Sequence, residues 1–385
     1  MAKVIFGSHM FRYPLGGMQS WSLQYMMGLK ELGHDVYFVE KYGYENSCYD
    51  PVKEVMSNDC TYGVQTTSAF LEKYGLKDHW CFLAHGDVYH GMSKQKVSEI
   101  FSEADIYIDM GSYGTWADES ANVPMRILIE GEPGYTQIKM IQKKKEGNPL
   151  PEYHRYFTNG FNVGDAGNET PTAGVQWGHL FHPVNTTLFP VATSAKGSPF
   201  TSIMNWRSQM PVKYNGKTYG QKDIEFLKFL DLPGQSPAPL EIALGGGAGR
   251  KDVPYDMIRE KGWTIRNSRK VTIDFDSYRD YLCYSRGEFR VCKNVFVKLR
   301  TGWFSDVSAA YLASGRPVVA QDTGFSEHLP TGKGLFAVKD AEEAVEALKE
   351  IECDYEKHSN AAREIAEEHL EAKKVMKEFM NKLGY

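Results

Sequence analysis

The sequence predicts a two-domain α/β protein in which two doubly wound, Rossmann-like halves follow one another, and three observations carry that expectation. At 385 residues the chain is longer than one hydrophobic core ordinarily serves. Strand-like apolar runs alternate with helical patterns twice, each time in the order that builds parallel βαβ units. A Pro- and Thr-rich stretch, HPVNTTLFPVATSAKG (182–197), separates the two alternations and reads as a linker.

The first half opens on the strand KVIF (3–6), the loop SHMFRYPLGGM (8–18) and a helix from Ser20 to Leu32. Gly33 stands just past that helix, where a left-handed residue commonly closes helices, and DVYFV (35–39) is the next strand. Further strands are DIYID (105–109) and MRILIE (125–130), with a helix from about Lys94 to Glu103 before them and Ser93 as its N-cap. Residues 133–182 are rich in Gly, Pro, Asn and aromatics and show little period; they read as a long irregular region of the kind that often carries function. The second half supplies the strands FTSIM, LEIAL, WTIR, FRV, PVVA and GLFAV, with helices near 222–230, 277–284, 305–314 and 341–351. A last helix from about Ser359 to Leu383 places Ile365, Met376, Phe379 and Leu383 on one apolar face. The expected domains are 1–190 and 191–358, with 359–385 packing back on the first.

Composition narrows the class. A formal net charge of −5 and a pI near 6.2 argue against a protein that coats nucleic acid or anionic membrane; the run Lys143-Lys144-Lys145 reads as a solvated loop. The six cysteines include no C-x-x-C pair, which argues against zinc and a redox dithiol and suits reduced thiols in the cytoplasm. No apolar run reaches the roughly 18 residues of a membrane span, and MAKVIFGSHM lacks a signal-peptide layout.

The most informative stretch is Lys298-Leu-Arg-Thr-Gly-Trp-Phe-Ser-Asp306, together with the segment VSAAYLASGRPVVAQDTGFSEHL (307–329) after it. Lys298 and Arg300 precede a helix start at Ser305 and Asp306, with Thr301 and Gly302 between. Cations beside free helix N–H groups hold phosphate. A dianion beside Asp306 would be repelled, so that carboxylate is read as a partner for a hydroxyl or an arginine. The turn Gln321-Asp322-Thr323-Gly324 comes after the strand PVVA, at the strand end where open α/β sheets place ligands. Lys293 can add charge to the same place.

This layout resembles the GT-B glycosyltransferases, over most of the chain and most clearly over residues 3–39 and 278–338, through the Gly-Gly loop after the first strand and Gly315-Arg316-Pro317-Val318-Val319 leading to Asp322-Thr323-Gly324. The resemblance implies that the C-terminal domain binds a nucleotide sugar, that the N-terminal domain holds most of the acceptor, that reaction occurs in the cleft, and that a final helix crosses back. It places Gly16 and Gly17 at the donor phosphates, Asp322, Thr323 and Gly324 at sugar hydroxyls and Glu327 near the nucleotide ribose. The chain departs from the pattern too. The two glutamates eight positions apart in many retaining members are Gly302 and Ala310 here, and Arg300 stands where the inverting plant-type box has its histidine.

As general base the chain offers His9, His85, Asp109, Glu130, Glu132, Asp165, His179 and His182; His9, two residues past the first strand, and Glu132, beside a cleft-facing strand end, are the candidates chosen. Asp274-Phe275-Asp276 has the form of a metal-diphosphate motif but reads as a helix cap, and Gly245–Arg250 reads as a strand-to-helix turn without the ending of a P-loop. The expectation is thus a metal-independent transferase that moves a sugar from a nucleoside-diphosphate donor to a hydroxyl acceptor, without metal or other cofactor. An epimerase of the same fold and a nucleotide-sugar-binding protein without turnover are the alternatives.

Overall fold

In the computed structural model, which describes residues 1–193, 195–247 and 250–385, the first half of the chain winds into an eight-stranded sheet. Its strands are β1 (Lys3–Gly7), β2 (Asp35–Lys41), β5 (Trp80–Ala84), β6 (Val88–Gly91), β7 (Ile106–Asp109), β8 (Met125–Glu130), β9 (Arg155–Thr158) and β10 (Trp177–His179), while β3 (Cys48–Asp50) and β4 (Val55–Ser57) form a separate hairpin. The order is β10-β9-β8-β7-β1-β2-β5-β6, parallel throughout except for β6. The second half forms a six-stranded parallel sheet in the order β15-β14-β11-β16-β17-β18, from β11 (Phe200–Arg207), β14 (Leu240–Gly247), β15 (Thr264–Asn267), β16 (Gly287–Arg290), β17 (Val318–Gln321) and β18 (Leu335–Val338). A second hairpin, β12 (Val212–Tyr214) and β13 (Lys217–Tyr219), stands apart from it.

The central strands read as unbroken apolar runs because parallel sheets are covered on both faces; Val4, Ile5 and Phe6 are wholly buried. One apolar cluster runs from Val4, Phe6 and Leu23 of the first half through Phe275 and Tyr278 to Tyr311 and Leu312 of the second. The two sheets therefore share a core beneath the seam where their carboxyl ends meet.

The chain differs from expectation in three places. The first helix is Gly16–Glu31, starting four residues early, and Gly33 closes it with φ +85°. Residues 133–182 are less irregular than their composition suggests, since they hold a helix, Tyr135–Lys145, and the strands β9 and β10. Gly134 turns into that helix with φ +81°, and its N–H donates to Gln137 Oε1 at 2.7 Å; the lysine run 143–145 is the last turn, where cations offset the helix dipole, rather than a loop. The closing helix is broken. Tyr355–Ile365 runs into a π turn, Ala366–Leu370, and a new helix, Ala372–Leu383, begins after Glu371. Val184 of the linker bonds into that break, donating to Leu370 O at 2.8 Å and accepting from Ala372 N at 3.0 Å. Gly28 lets the last helix lie close on the first, since a Cβ there would stand 2.6 Å from Ala372 O. The chain thus crosses back to the N-terminal sheet as expected.

Candidate functional site

The seam between the two sheets gathers the chemistry. On the N-terminal side Glu40, wholly buried in β2, accepts from the N–H groups of Met10 (2.7 Å), Phe11 (2.7 Å) and Arg12 (3.1 Å) and from Arg12 Nε (3.0 Å). That carboxylate fixes the loop after β1 and stations His9 at its start. The His9 ring meets Trp21 edge-on at 5.8 Å, and its buried Nδ1 has no hydrogen-bond partner among the described residues. Burial, and then the nearby Arg12 charge, hold the His9 pKa down to about 3, so the imidazole is neutral at physiological pH.

At the end of β8, Glu130 is wholly buried and accepts from Thr158 Oγ1, from Gln137 Nε2 (3.0 Å) and from Glu132 N (2.8 Å). Burial pushes its pKa up to about 7. With both oxygens engaged it serves the loop, and it frees its neighbour: Glu132 reaches across the seam to Lys293, whose Nζ donates to Oε1 at 2.6 Å. A network beneath them joins Asn159, Tyr25, His182 and Trp21. Asn159 Nδ2 donates to Tyr25 Oη (3.2 Å), and Trp21 Nε1 and Tyr25 Oη both reach His182 Nδ1 (3.3 and 3.2 Å). Burial lowers the His182 pKa to about 4, with Asp306 opposing; the two donors at Nδ1 place its proton on Nε2.

On the C-terminal side three cations converge beside the end of β16. Arg290 ends β16 and pairs through Nε with Glu288 at 2.6 Å; Ser308 holds the other oxygen of Glu288. Lys293 stands three residues on. Lys222, just past the second hairpin, is only 9% exposed and has neither hydrogen bond nor ion pair among the described residues. Burial, with the charges of Arg290 and Lys293 close by, lowers its pKa to about 7. A buried, unpaired lysine beside two further cations is costly unless an anion joins it. Lys222 and Arg290 carried no sequence signal: one looks like a solvated helix residue in GQKDIEF, the other like a strand end.

The residues chosen from the sequence fall into four groups. His9, Glu132, Lys293, Ser305 and Asp306 line the seam, where Glu132 meets Lys293 and His9 stands against Trp21. Ser305 caps the helix Asp306–Ala313, its Oγ accepting from Val307 N at 3.2 Å, and half-buried Asp306 lies near Tyr25 and His182. Half-exposed Arg300 and Glu327 form a second cluster with buried Asp322, Arg300 Nη2 lying 2.5 Å from Glu327 and Nη1 3.5 Å from Asp322. It borders a groove of about 860 Å³ whose lining includes Glu342, Glu343, Glu346 and Glu350, an unfavourable setting for a diphosphate. Lys293 and Arg300 flank the helix Asn294–Leu299, so they lie on the order of 10 Å apart. Lys298 points to the second hairpin, 3.5 Å from Thr218 O. Backbone fit accounts for most of the rest. Thr301 O accepts from Asn162 N at 3.0 Å, Gly302 N donates to Thr323 O at 2.8 Å, and Thr323 Oγ1 donates to Trp303 O at 2.6 Å. Gly324 turns with φ +95°. Gly16 abuts the C-terminal half so closely that a Cβ would stand 2.1 Å from Asp274 O, whereas one on Gly17 would meet only Tyr278 at 3.9 Å.

Other candidates resolve structurally. Asp109 accepts from Ser112, Tyr113, Gly114 and Tyr153 and shapes its loop. Asp274 caps a helix by accepting from Ser277 N at 2.7 Å, and Asp276 pairs with Lys73 and Arg279. Among the described residues no group of three or more His, Cys, Asp or Glu is placed to hold a metal, and no helix is long and apolar enough to cross a membrane. The Gly245–Arg250 turn lies partly outside the described residues.

No protein-family model matches the sequence, and no curated protein resembles it significantly in sequence. The fold is nevertheless a known one. An alpha-glucosyltransferase solved with UDP and a 13-mer DNA superposes over 100% of both chains at a TM-score of 0.63 and 12% identity. Sucrose-phosphate synthase from Thermosynechococcus elongatus does so over 100% of this chain and 99% of its own, at 0.57 and 12%. HepE of Anabaena, solved with UDP and glucose, covers 100% of both at 0.57 and 11%. The chain has the GT-B architecture of the glycosyltransferases, two Rossmann-like domains with a C-terminal crossover.

Proposed function

We propose that this protein is a metal-independent glycosyltransferase that moves a sugar from a nucleoside-diphosphate donor, UDP-linked in the first instance, to a hydroxyl acceptor. The observation that carries the reading is the meeting of Lys222, Arg290 and Lys293 beside the carboxyl end of β16, with Lys293 bonded to Glu132 across the seam. This is where open α/β sheets bind ligands, and an anion there offsets the cost of the buried lysine. The fold, shared with enzymes solved with UDP or UDP-glucose, agrees.

The chemistry rests on charge. The acceptor oxygen bonds to the sugar's anomeric carbon, the bond from that carbon to the phosphate oxygen breaks, and the diphosphate leaves with the electron pair. Lys222, Arg290 and Lys293 stabilise that developing negative charge, a task that preorganised cations perform well. The acceptor proton goes to a base. His9, with its pKa near 3, is a weak one, and Glu132 is the better placed. Lys293 holds Glu132; a donor diphosphate would compete for that ammonium and release the carboxylate at the reacting centre. Gly17, Ser305, Asp306, Asp322 and Glu327 remain proposed donor contacts, with Gly16 serving the approach of the two halves.

The test is release of free UDP from UDP-glucose, with EDTA present, across a set of hydroxylated acceptors. Acceptor-dependent release supports transfer. A change of the sugar without an acceptor would mean epimerisation, tight binding without turnover would mean a binding protein, and abolition of activity by EDTA would remove the metal-independent mechanism.

A further inference from the structure

We propose that Glu225 is the positioning residue of the cation site: through Asn294 and Gln321 it sets Lys222 and Lys293 in the arrangement that binds a donor diphosphate. This rests on the transferase reading and names the side chain on which its charge geometry depends. Glu225 is wholly buried in the short helix Lys222–Phe226. Its Oε1 accepts from Asn294 Nδ2 at 2.6 Å, and its Oε2 accepts from Gln321 Nε2 at 2.5 Å and from Lys228 Nζ at 2.7 Å. Asn294 and Gln321, each 1% exposed, turn their amide oxygens to backbone donors. Asn294 Oδ1 accepts from Gly220 N at 2.9 Å, and Gln321 Oε1 from Cys292 N at 3.1 Å.

These side chains form a relay from one backbone segment to another, and the relay brackets the cations. Cys292 and Asn294 are the two chain neighbours of Lys293, while Gly220 precedes Lys222 and Glu225 follows it on the same helix. The backbones pair as well, Asn294 N donating to Gln221 O and Val295 N to Gly220 O, both at 3.3 Å. Gln321 adds the end of β17. Three segments of chain therefore meet on one carboxylate. Among the described residues its ion pair is with half-exposed Lys228, so it orders the site without claiming Lys222 or Lys293.

The direction of every bond in the relay is fixed, and that direction requires a carboxylate at its centre. A backbone N–H only donates, so Gly220 and Cys292 hold the two amide oxygens and leave both NH2 groups facing Glu225. A carboxylate accepts on both sides. In Glu225→Gln the new amide must turn its own NH2 toward one of those donors. Either that contact is lost, or a neighbouring amide flips and leaves a buried backbone N–H unpaired. In both cases one segment is released, and Lys222 and Lys293 lose their fixed relation.

The test titrates UDP by calorimetry into the full chain as wild type, as Glu225→Gln, and as two double variants that move the charge along the relay, Glu225→Gln with Asn294→Asp and Glu225→Gln with Gln321→Glu. In each double variant every contact of the relay again pairs a donor with an acceptor. The expected result is a UDP affinity lower by roughly tenfold or more in Glu225→Gln, as misplaced binding groups cause, and recovery to within about threefold of wild type in either double variant. Lys222 faces Arg290, Cys292, Lys293 and Glu288, and burial lowers its pKa to about 7. Wild-type affinity should therefore decline above about pH 7, and Glu225→Gln should flatten that decline. A merely structural Glu225 would lower the unfolding midpoint and leave the affinity and pH profile of the folded protein unchanged. If Glu225→Gln does not fold, Gln321→Ala, which cuts one arm of the relay, carries the same expectation. Wild-type affinity in the single variant, or a loss that neither double variant recovers, overturns the proposal. A wild-type protein that binds no UDP overturns instead the transferase reading beneath it.

Discussion

A buried group of three cations and a half-exposed arginine flank the helix Asn294–Leu299, and their difference is instructive. At its start Lys293 joins Lys222 and Arg290 in a buried setting, where Lys222 has no ion pair among the described residues and burial lowers its pKa to about 7. At its end Arg300 is half exposed and already meets two carboxylates, Glu327 and Asp322, beside an acidic groove. Exposed ion pairs are worth little, and a surface arginine so engaged has small attraction left for a phosphate. A buried cation without a partner has the opposite character. On the proposed reading, anion binding should track unpaired charge rather than the density of basic residues along the sequence.

The comparison can be broken in several ways. The largest effect should come from Glu132→Gln: if this carboxylate takes the acceptor proton, turnover falls by roughly a hundred- to ten-thousandfold. UDP binding by the same variant should hold or tighten, because Lys293 is no longer claimed by a carboxylate. Weaker UDP binding there would contradict the exchange. Lys293→Ala should weaken UDP binding roughly tenfold or more, since a hydrogen bond to a charged group contributes about 1.5–3 kcal/mol; calorimetry reads this directly.

Donor affinity should also depend on pH. Burial has lowered the Lys222 pKa to about 7, below its ordinary 10.5, so the empty protein sheds that proton as pH rises through neutrality. A bound anion favours the charged form and raises the value again. Affinity is therefore greatest below about pH 7 and declines above it, by at most about tenfold per pH unit. Lys222→Met should abolish the decline, and an equal slope in that variant would assign the titration to another group. The smallest effect is on stability. Gly16→Ala meets the Asp274 carbonyl and should cost about 1–3 kcal/mol of overpacking. Gly17→Ala has room and a helical position, so its melting temperature should match or exceed that of wild type.

Much of the fold was legible because strands buried on both faces announce themselves: VIF, ILIE and PVVA are unbroken apolar runs, and Gly33 marks a helix end by its chemistry. The helix Tyr135–Lys145 was hidden by the Gly and Pro before it and by a lysine run that mimics a loop. The break at Glu371 was invisible because a distant backbone, Val184, imposes it. The site divides in the same way. His9 and Glu132 stood out by position at strand ends and Lys293 as a further charge near the loop from Lys298, and the fold sets Glu132 against Lys293. Lys222, Arg290 and Asn159 did not, since their distinguishing property is burial, in Lys222 with no ion pair among the described residues, and burial exists only once the chain is folded.

The most direct test of the account titrates UDP, in the presence of EDTA, into wild type, Lys222→Met and Arg300→Ala side by side by calorimetry. The account predicts binding by wild type, affinity at least tenfold lower in Lys222→Met, and a change of no more than about fivefold in Arg300→Ala, the limit for an exposed pair worth about 1 kcal/mol. The reverse order, with Arg300 decisive and Lys222 dispensable, would place the phosphates at the exposed cluster and contradict the account.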